Sequence, residues 1–135
     1  MIVADTSGII AAFNPREPEH EACRAALLDE TNQFVVSPLV LAEVDYLAGK
    51  YLGPRGAVQL MEALIGLAAV AVVDNADIRD ATRIAETYLD MRLGLTDATN
   101  IVLAGRVKTS HILSLDKHYL AVRPFGSISL SLIPG

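Results

Sequence analysis

The 135-residue chain holds a single cysteine, Cys23. That excludes an intrachain disulfide and any zinc site built from several thiolates. Cys23 stands in the helix-like stretch "EACRAALLDE", where packing in the core is its expected role. A surplus of basic charge is also missing: 11 Lys and Arg face 16 Asp and Glu, for a formal charge of −5. A whole-molecule attraction for phosphate backbones is thereby excluded, so any contact with nucleic acid must use local basic side chains or bound cations. No apolar run reaches the ~20 residues that a bilayer-spanning helix needs. The longest, Ala63 to Val73, contains Gly66 and ends in a strand-like "AVAVV". The N-terminus has no basic leader before an apolar stretch, and Asp5 interrupts any signal-like core. A soluble, cytoplasmic protein with no membrane contact is expected. Repeats, low-complexity tracts and linkers are absent, as are the glycine patterns of nucleoside triphosphate and dinucleotide sites.

What is present is apolar. Hydrophobic residues make up 52% of the chain and charged residues 20%, enough apolar surface to offset chain entropy in one domain spanning residues 1–135. Strand-like runs lie at Ile2 to Ala4, Phe34 to Ser37, Val70 to Val73, His111 to Leu115 and Ser127 to Ile133. All but the last are nearly continuous apolar runs, as strands covered on both faces are. Helix-like stretches alternate with them: "IIAAF", Glu19 to Glu30, Pro38 to Leu52, Arg55 to Leu67, Ala76 to Arg92 and Thr96 to Val107. Ser37 and Pro38 supply a cap and a first helical residue, and "LGP" at Leu52 to Pro54 ends one helix and starts another. The expected fold is α/β, a mainly parallel sheet of about five strands sandwiched between helices.

In such a sheet ligands bind beyond the carboxyl ends of the strands. Asp5 follows the first strand directly and Asp116 follows "HILSL". Two readings fit each: a carboxylate that caps a helix or closes a turn, or one that serves a site. Glu43 has Leu39, Val40, Tyr46 and Leu47 as its helical neighbours three and four residues away, which puts it on the buried stripe and calls for a cation, an arginine or a hydrogen-bond network beside it. Asp45 lies roughly 160° round that helix and faces solvent. Asp97 begins the helix that Thr96 is expected to cap, with Asn100 on the same face one turn on. Four such acids converging on one pocket repel unless cations bind between them. Oxygen ligands without cysteine or histidine favour Mg²⁺ or Mn²⁺ over zinc. His20 falls on the charged "REPEHE" loop, His111 is expected in the core, and only His118 stands close enough to Asp116 to be an accessory. A carboxylate site for Mg²⁺ suits phosphoryl transfer, and without a triphosphate motif it points to phosphodiester hydrolysis.

The stretches "VADTSGIIA", "SPLVLAEVDYL", "LGLTDATNIVLA" and "ILSLDKHY" together resemble a PIN-domain ribonuclease, specifically the VapC-type toxin of bacterial toxin–antitoxin pairs. The resemblance spans essentially the whole chain. It implies an α/β/α sandwich, Mg²⁺- or Mn²⁺-dependent cleavage of RNA, and inhibition by a cognate VapB-type antitoxin. By position it implies an acidic quartet of Asp5, Glu43, Asp97 and Asp116, with Asp5, Asp97 and Asp116 holding metal and Glu43 holding metal or orienting the attacking water. Thr6 would orient Asp5 or a water, and Asn100 would hydrogen-bond within the site. One departure is Tyr119, where such proteins often carry phenylalanine; an effect on packing more than on chemistry is expected. Arg16, Arg55, Lys117 and Arg123 are the candidates for phosphate contacts. The apolar helices from Val44 to Ile65 suggest a groove for an antitoxin helix, and a homodimer. The competing reading is a catalytically inactive domain of the same fold that acts as a binding or scaffold module. An aspartic protease, hinted at by "DTSG", fails because serine intervenes before the glycine and helices dominate.

Overall fold

The structure, a computed structural model, describes residues 1–123 and 130–135. Five parallel strands form one sheet in the order β3-β2-β1-β4-β5. They are β1 (Ile2–Ala4), β2 (Phe34–Val36), β3 (Ala68–Val70), β4 (His111–Leu113) and β5 (Ser131–Ile133). The part of the expected last strand from Ser127 to Ser129 lies outside the described residues. Helices α1 (Thr6–Phe13), α2 (His20–Leu28), α3 (Pro38–Leu67), α4 (Asn75–Thr87) and α5 (Leu95–Arg106) supply the crossovers. Short 3₁₀ turns lie at Leu89–Met91 and Lys117–Ala121.

Strand side chains alternate between two cores because successive residues point to opposite faces. Ile2, Ala4, Phe34 and Val36 pack with Ile9, Cys23, Val40, Val44, Leu60 and Leu64 beneath α1, α2 and α3. Val3, Val35 and Ile112 face the other way, onto Ala81, Ala98, Ile101 and Leu103 of α4 and α5. Each of the fully buried Val and Ile side chains stabilises the fold by about 1.5–3 kcal/mol. The result is the α/β/α sandwich that the continuous apolar strands imply, and Cys23 is a core residue.

Several boundaries differ from the sequence expectation, each for a local reason. The third strand begins at Ala68, two residues early, because Ala68 pairs with Phe34 and the chain leaves the sheet once Ala71 N–H has bonded Val36 C=O. Gly53 sits at φ 77, where a side chain would be strained, and Pro54 lacks an N–H, so α3 breaks there into the two expected arms. The Asp74–Asp77 capping box fixes the start of α4, and that helix stops at Thr87, short of Arg92. Gly94, not Thr96, caps α5, which places Thr96 and Asp97 inside its first turn. His111 is exposed at the start of β4, not in the core, because the strand's buried residues are Ile112 and Leu113.

Strand β1 lies between β2 and β4. The chain runs outward from β1 to β2 and β3, then returns across the sheet to β4. At such a reversal the connections diverge and leave a crevice beyond the strands' carboxyl ends. Asp5 leaves β1 into that crevice, and Ser114 and Asp116 leave β4 into it. Close approach of α1 to β4 shapes one wall: a Cβ added at Gly8 would stand 2.5 Å from the Leu113 carbonyl oxygen.

Candidate active site

Asp5 occupies the N-cap position of α1, yet its side chain caps nothing. Its carboxylate is 4% exposed and accepts four neutral donors. Oδ1 receives Asn100 Nδ2 at 3.0 Å and Tyr119 OH at 3.2 Å. Oδ2 receives Ser114 Oγ at 2.7 Å and Ser7 Oγ at 3.1 Å. The capping reading of Asp5 is therefore excluded. Its hydrogen-bond partners are all neutral, so among the described residues no opposite charge stands against it.

Asp97 joins it through Tyr119, whose hydroxyl lies 3.1 Å from Asp97 Oδ1. Burial holds the Asp97 carboxyl above its ordinary range, Asp5 raises it further, His118 and Tyr119 oppose the rise, and Asp116 adds to it. Ligand atoms of Asp97, Asp116 and His118 all lie within 4.8 Å of one another. His118 sits between the two acids, with Nε2 3.4 Å from Asp97 Oδ2 and Nδ1 2.9 Å from Asp116 Oδ1. The 3₁₀ turn after β4 produces this placement: Asp116 Oδ1 accepts the His118 N–H, so Asp116 does close the turn. A histidine thus belongs to a cluster expected to hold oxygen ligands alone.

Glu43 stands apart from that trio. It is exposed, because Val40, Val44 and Ala48 form the buried stripe of α3 and Tyr46 points outward at 70% exposure. Its tie to the site is Thr6, whose hydroxyl donates to Glu43 Oε1 at 2.6 Å. Thr6 therefore serves Glu43 and not Asp5. Asn100 does bond within the site, to Asp5 and to the Tyr119 oxygen. Among the described residues, no Lys or Arg pairs with Asp5, Glu43, Asp97 or Asp116.

Tyr119 overturns the expectation that it matters chiefly for packing. It is fully buried, and its one hydroxyl proton faces two carboxylates. Desolvation and the charges of Asp5 and Asp97 push its phenol well above the usual value, so it keeps that proton. Ser7 and Ser114 were not expected in the site. Their signal was present, a small hydroxyl two residues beyond Asp5 and another two before Asp116. Backbone N–H groups of Leu115 and Asp116 donate to them at 3.0 Å and fix both. Arg16, Arg55, Lys117 and Arg123 are exposed; Arg123 spends its guanidinium on the Leu120 and Val122 carbonyls.

The donor set fits a divalent cation. Asp97 and Asp116 share their cluster with the His118 imidazole, and Asp5 joins them through the Tyr119 hydroxyl. No Lys or Arg among the described residues pairs with these acids, and burial and the charge of Asp5 still hold the Asp97 carboxyl above its ordinary range. Carboxylates favour hard ions, and the imidazole beside Asp116 is placed to orient that ligand.

Comparison with known proteins agrees with this geometry. Residues 2–123 match the PIN domain family. The chain is 38% identical to the ribonuclease VapC26 of Mycobacterium tuberculosis over 135 residues, 98% of this chain and 100% of that protein. Its fold is similar to that of the sarcin–ricin-loop-cleaving toxin VapC20 of the same organism, with a TM-score of 0.78 at 19% identity over 87% of this chain and 91% of that one. VapBC2 from Rickettsia felis, solved with a DNA fragment from its promoter, matches with a TM-score of 0.71 at 15% identity over 98% and 99%. The chain belongs to the PIN-domain family, and within it to the VapC ribonucleases.

Proposed function

We propose that this protein is the Mg²⁺-dependent endoribonuclease toxin of a VapBC-type pair, with Mn²⁺ able to substitute, hydrolysing RNA phosphodiester bonds with an activated water. The observation that carries the reading is that Asp97, Asp116 and His118 bring ligand atoms within 4.8 Å of one another while the Tyr119 hydroxyl joins Asp97 to Asp5, with no Lys or Arg among the described residues paired to these acids. Asp5, Asp97 and Asp116 would hold the cation. A divalent ion bound there lowers the pKa of water and offsets negative charge developing at the scissile phosphate. Glu43, exposed to solvent and aligned by Thr6, orients the water and takes its proton. Asn100, Ser7 and Ser114 fix the Asp5 carboxylate, and His118 fixes Asp116. Asn at position 5 would present an amide to donors that now meet an acceptor. Asp5→Asn is therefore expected to abolish Mg²⁺-dependent cleavage of an RNA oligonucleotide while costing about 1–3 kcal/mol of stability. Unchanged cleavage by the folded variant removes Asp5 from the mechanism. The alternative, an inactive scaffold, has all four acids against it, and stabilisation by Mn²⁺ separates the two readings.

A VapB-type antitoxin is the proposed partner, with RNA as substrate and a homodimer as the toxin's state. The relatives include a solved VapBC complex. The surface also supports it: Leu52, Val58 and Ile65 on α3 are exposed, and a cleft of about 560 Å³ is lined by Phe13, Leu52, Arg55, Gly56 and Leu60. Val44 and Leu64, inside the expected apolar stretch, belong to the core instead. An antitoxin helix seated in that cleft should raise the melting temperature, and Leu52→Glu should remove the gain; equal gains in both proteins would exclude the cleft. Among the described residues no helix is long and apolar enough to cross a membrane.

A further inference from the structure

A carboxylate has about four lone-pair positions, and on Asp5 four donors occupy them, two on each oxygen. A cation can reach Asp5 only if one donor withdraws. Ser114 makes the shortest bond, 2.7 Å, and its own oxygen is fixed by the Asp116 N–H. Ser7 is fixed in the same manner by the Leu115 N–H, and its one other acceptor, Ser114 Oγ at 3.0 Å, is a neutral hydroxyl that draws its proton less than a carboxylate does. Asn100 is tied at once to Asp5 and to the Tyr119 oxygen. Tyr119 makes the longest of the four bonds, 3.2 Å, and has a second carboxylate acceptor already in reach, Asp97 Oδ1 at 3.1 Å. Its single proton serves one acid at a time, and a rotation about the phenolic C–O bond transfers the hydrogen bond without moving the buried ring.

We propose that Tyr119 is a positioning residue that covers the last open lone pair of Asp5 in the metal-free protein and turns its hydroxyl to Asp97 when a divalent cation arrives. The inference rests on reading the acidic pocket as a metal site. It makes the hydroxyl a competitor of the cation at Asp5, which stabilises the empty pocket and weakens loading. Removal of the hydroxyl has two opposite consequences. The metal-free fold loses a hydrogen bond, and the cation gains an acceptor that nothing has to vacate.

The test compares wild type with Tyr119→Phe, counting bound Mn²⁺ by the electron paramagnetic resonance of the free ion and recording melting in EDTA. The expected result is Mn²⁺ binding roughly three- to tenfold tighter in the variant, the equivalent of one net neutral hydrogen bond, together with a lower melting temperature without metal. A purely structural role predicts weaker binding, and equal or weaker binding overturns the proposal. Absence of Mn²⁺ binding by wild type overturns the metal reading itself. Should the variant not fold, wild type labelled at tyrosine Cζ carries the test. Mg²⁺ must then shift the signal of Tyr119 among the four tyrosines, and an unmoved signal overturns the proposal.

Discussion

Asp97→Asn should make the metal-free protein more stable. Asp97 is an acid whose carboxyl is raised in the fold, first by burial and then by Asp5. Such a group contributes most at pH below the unfolded value, and that contribution is lost as pH rises through the folded one. At neutral pH the ionised Asp97 is therefore a cost, which an uncharged isostere removes. Its ligand atom lies within 4.8 Å of that of Asp116. Two like charges at that separation repel by about 3.5 kcal/mol at an effective dielectric of 20, and by about 0.9 kcal/mol in bulk water. The Asp116 side chain is 43% exposed, which moves the figure towards the water limit, about 1 kcal/mol. Asparagine keeps an oxygen for the Tyr119 hydroxyl. For a chain of this size 1 kcal/mol corresponds to roughly 3–5 °C in melting temperature. Scanning calorimetry in EDTA at pH 8 should show the variant melting higher by about that amount. The gap should close as pH falls below the ordinary carboxyl range. Saturating Mn²⁺ should reverse the order by stabilising wild type alone. A variant that melts at or below wild type in EDTA would refute the reasoning, because the pocket's negative charge would then already be compensated by the protein.

Glu43→Gln keeps the acceptor for Thr6 at an exposed position, so stability should stay within about 0.5 kcal/mol of wild type while RNA cleavage falls about 10²- to 10⁴-fold; near-normal turnover in a fluorescent RNA assay would remove Glu43 from the water-orienting role. Gly8→Ala places a Cβ 2.5 Å from the Leu113 carbonyl and 2.8 Å from its Cγ. α1 must then lift from β4, at a cost of about 1–3 kcal/mol in urea unfolding, and an unchanged unfolding midpoint would exclude the close approach.

Asp5, Asp97 and Asp116 were legible because each stands beside an apolar element, and parallel topology sends the carboxyl ends of strands to one edge. Glu43 is exposed, not on the buried stripe that its neighbours suggest. Its apolar neighbours include Tyr46, but a tyrosine on a helix can turn its ring to solvent, and here the buried stripe runs one residue later, through Val40, Val44 and Ala48. The third strand starts earlier than the β-propensity of "VAVV" suggests, because register with Phe34 decides where pairing begins. His118 and Tyr119 gain their places from the 3₁₀ turn Lys117–Ala121, which has no period of its own for a sequence to display. Ser7 and Ser114 look like ordinary turn and strand residues until the backbone of β4 presents both to one carboxylate.

The central position of β1 has a consequence for biosynthesis. Asp5 emerges from the ribosome first, yet its partners Asn100, Ser114 and Tyr119 are separated from it by 95, 109 and 114 residues. At about 5–20 residues per second, the first carboxylate waits several seconds or more for the strand that completes its surroundings. Until β4 slides in beside β1, a nascent chain carries the acids but not the hollow that gathers them. In this order the Asp5 carboxylate gains the hydrogen bonds that surround it in the fold only after Tyr119, 114 residues later, has been made.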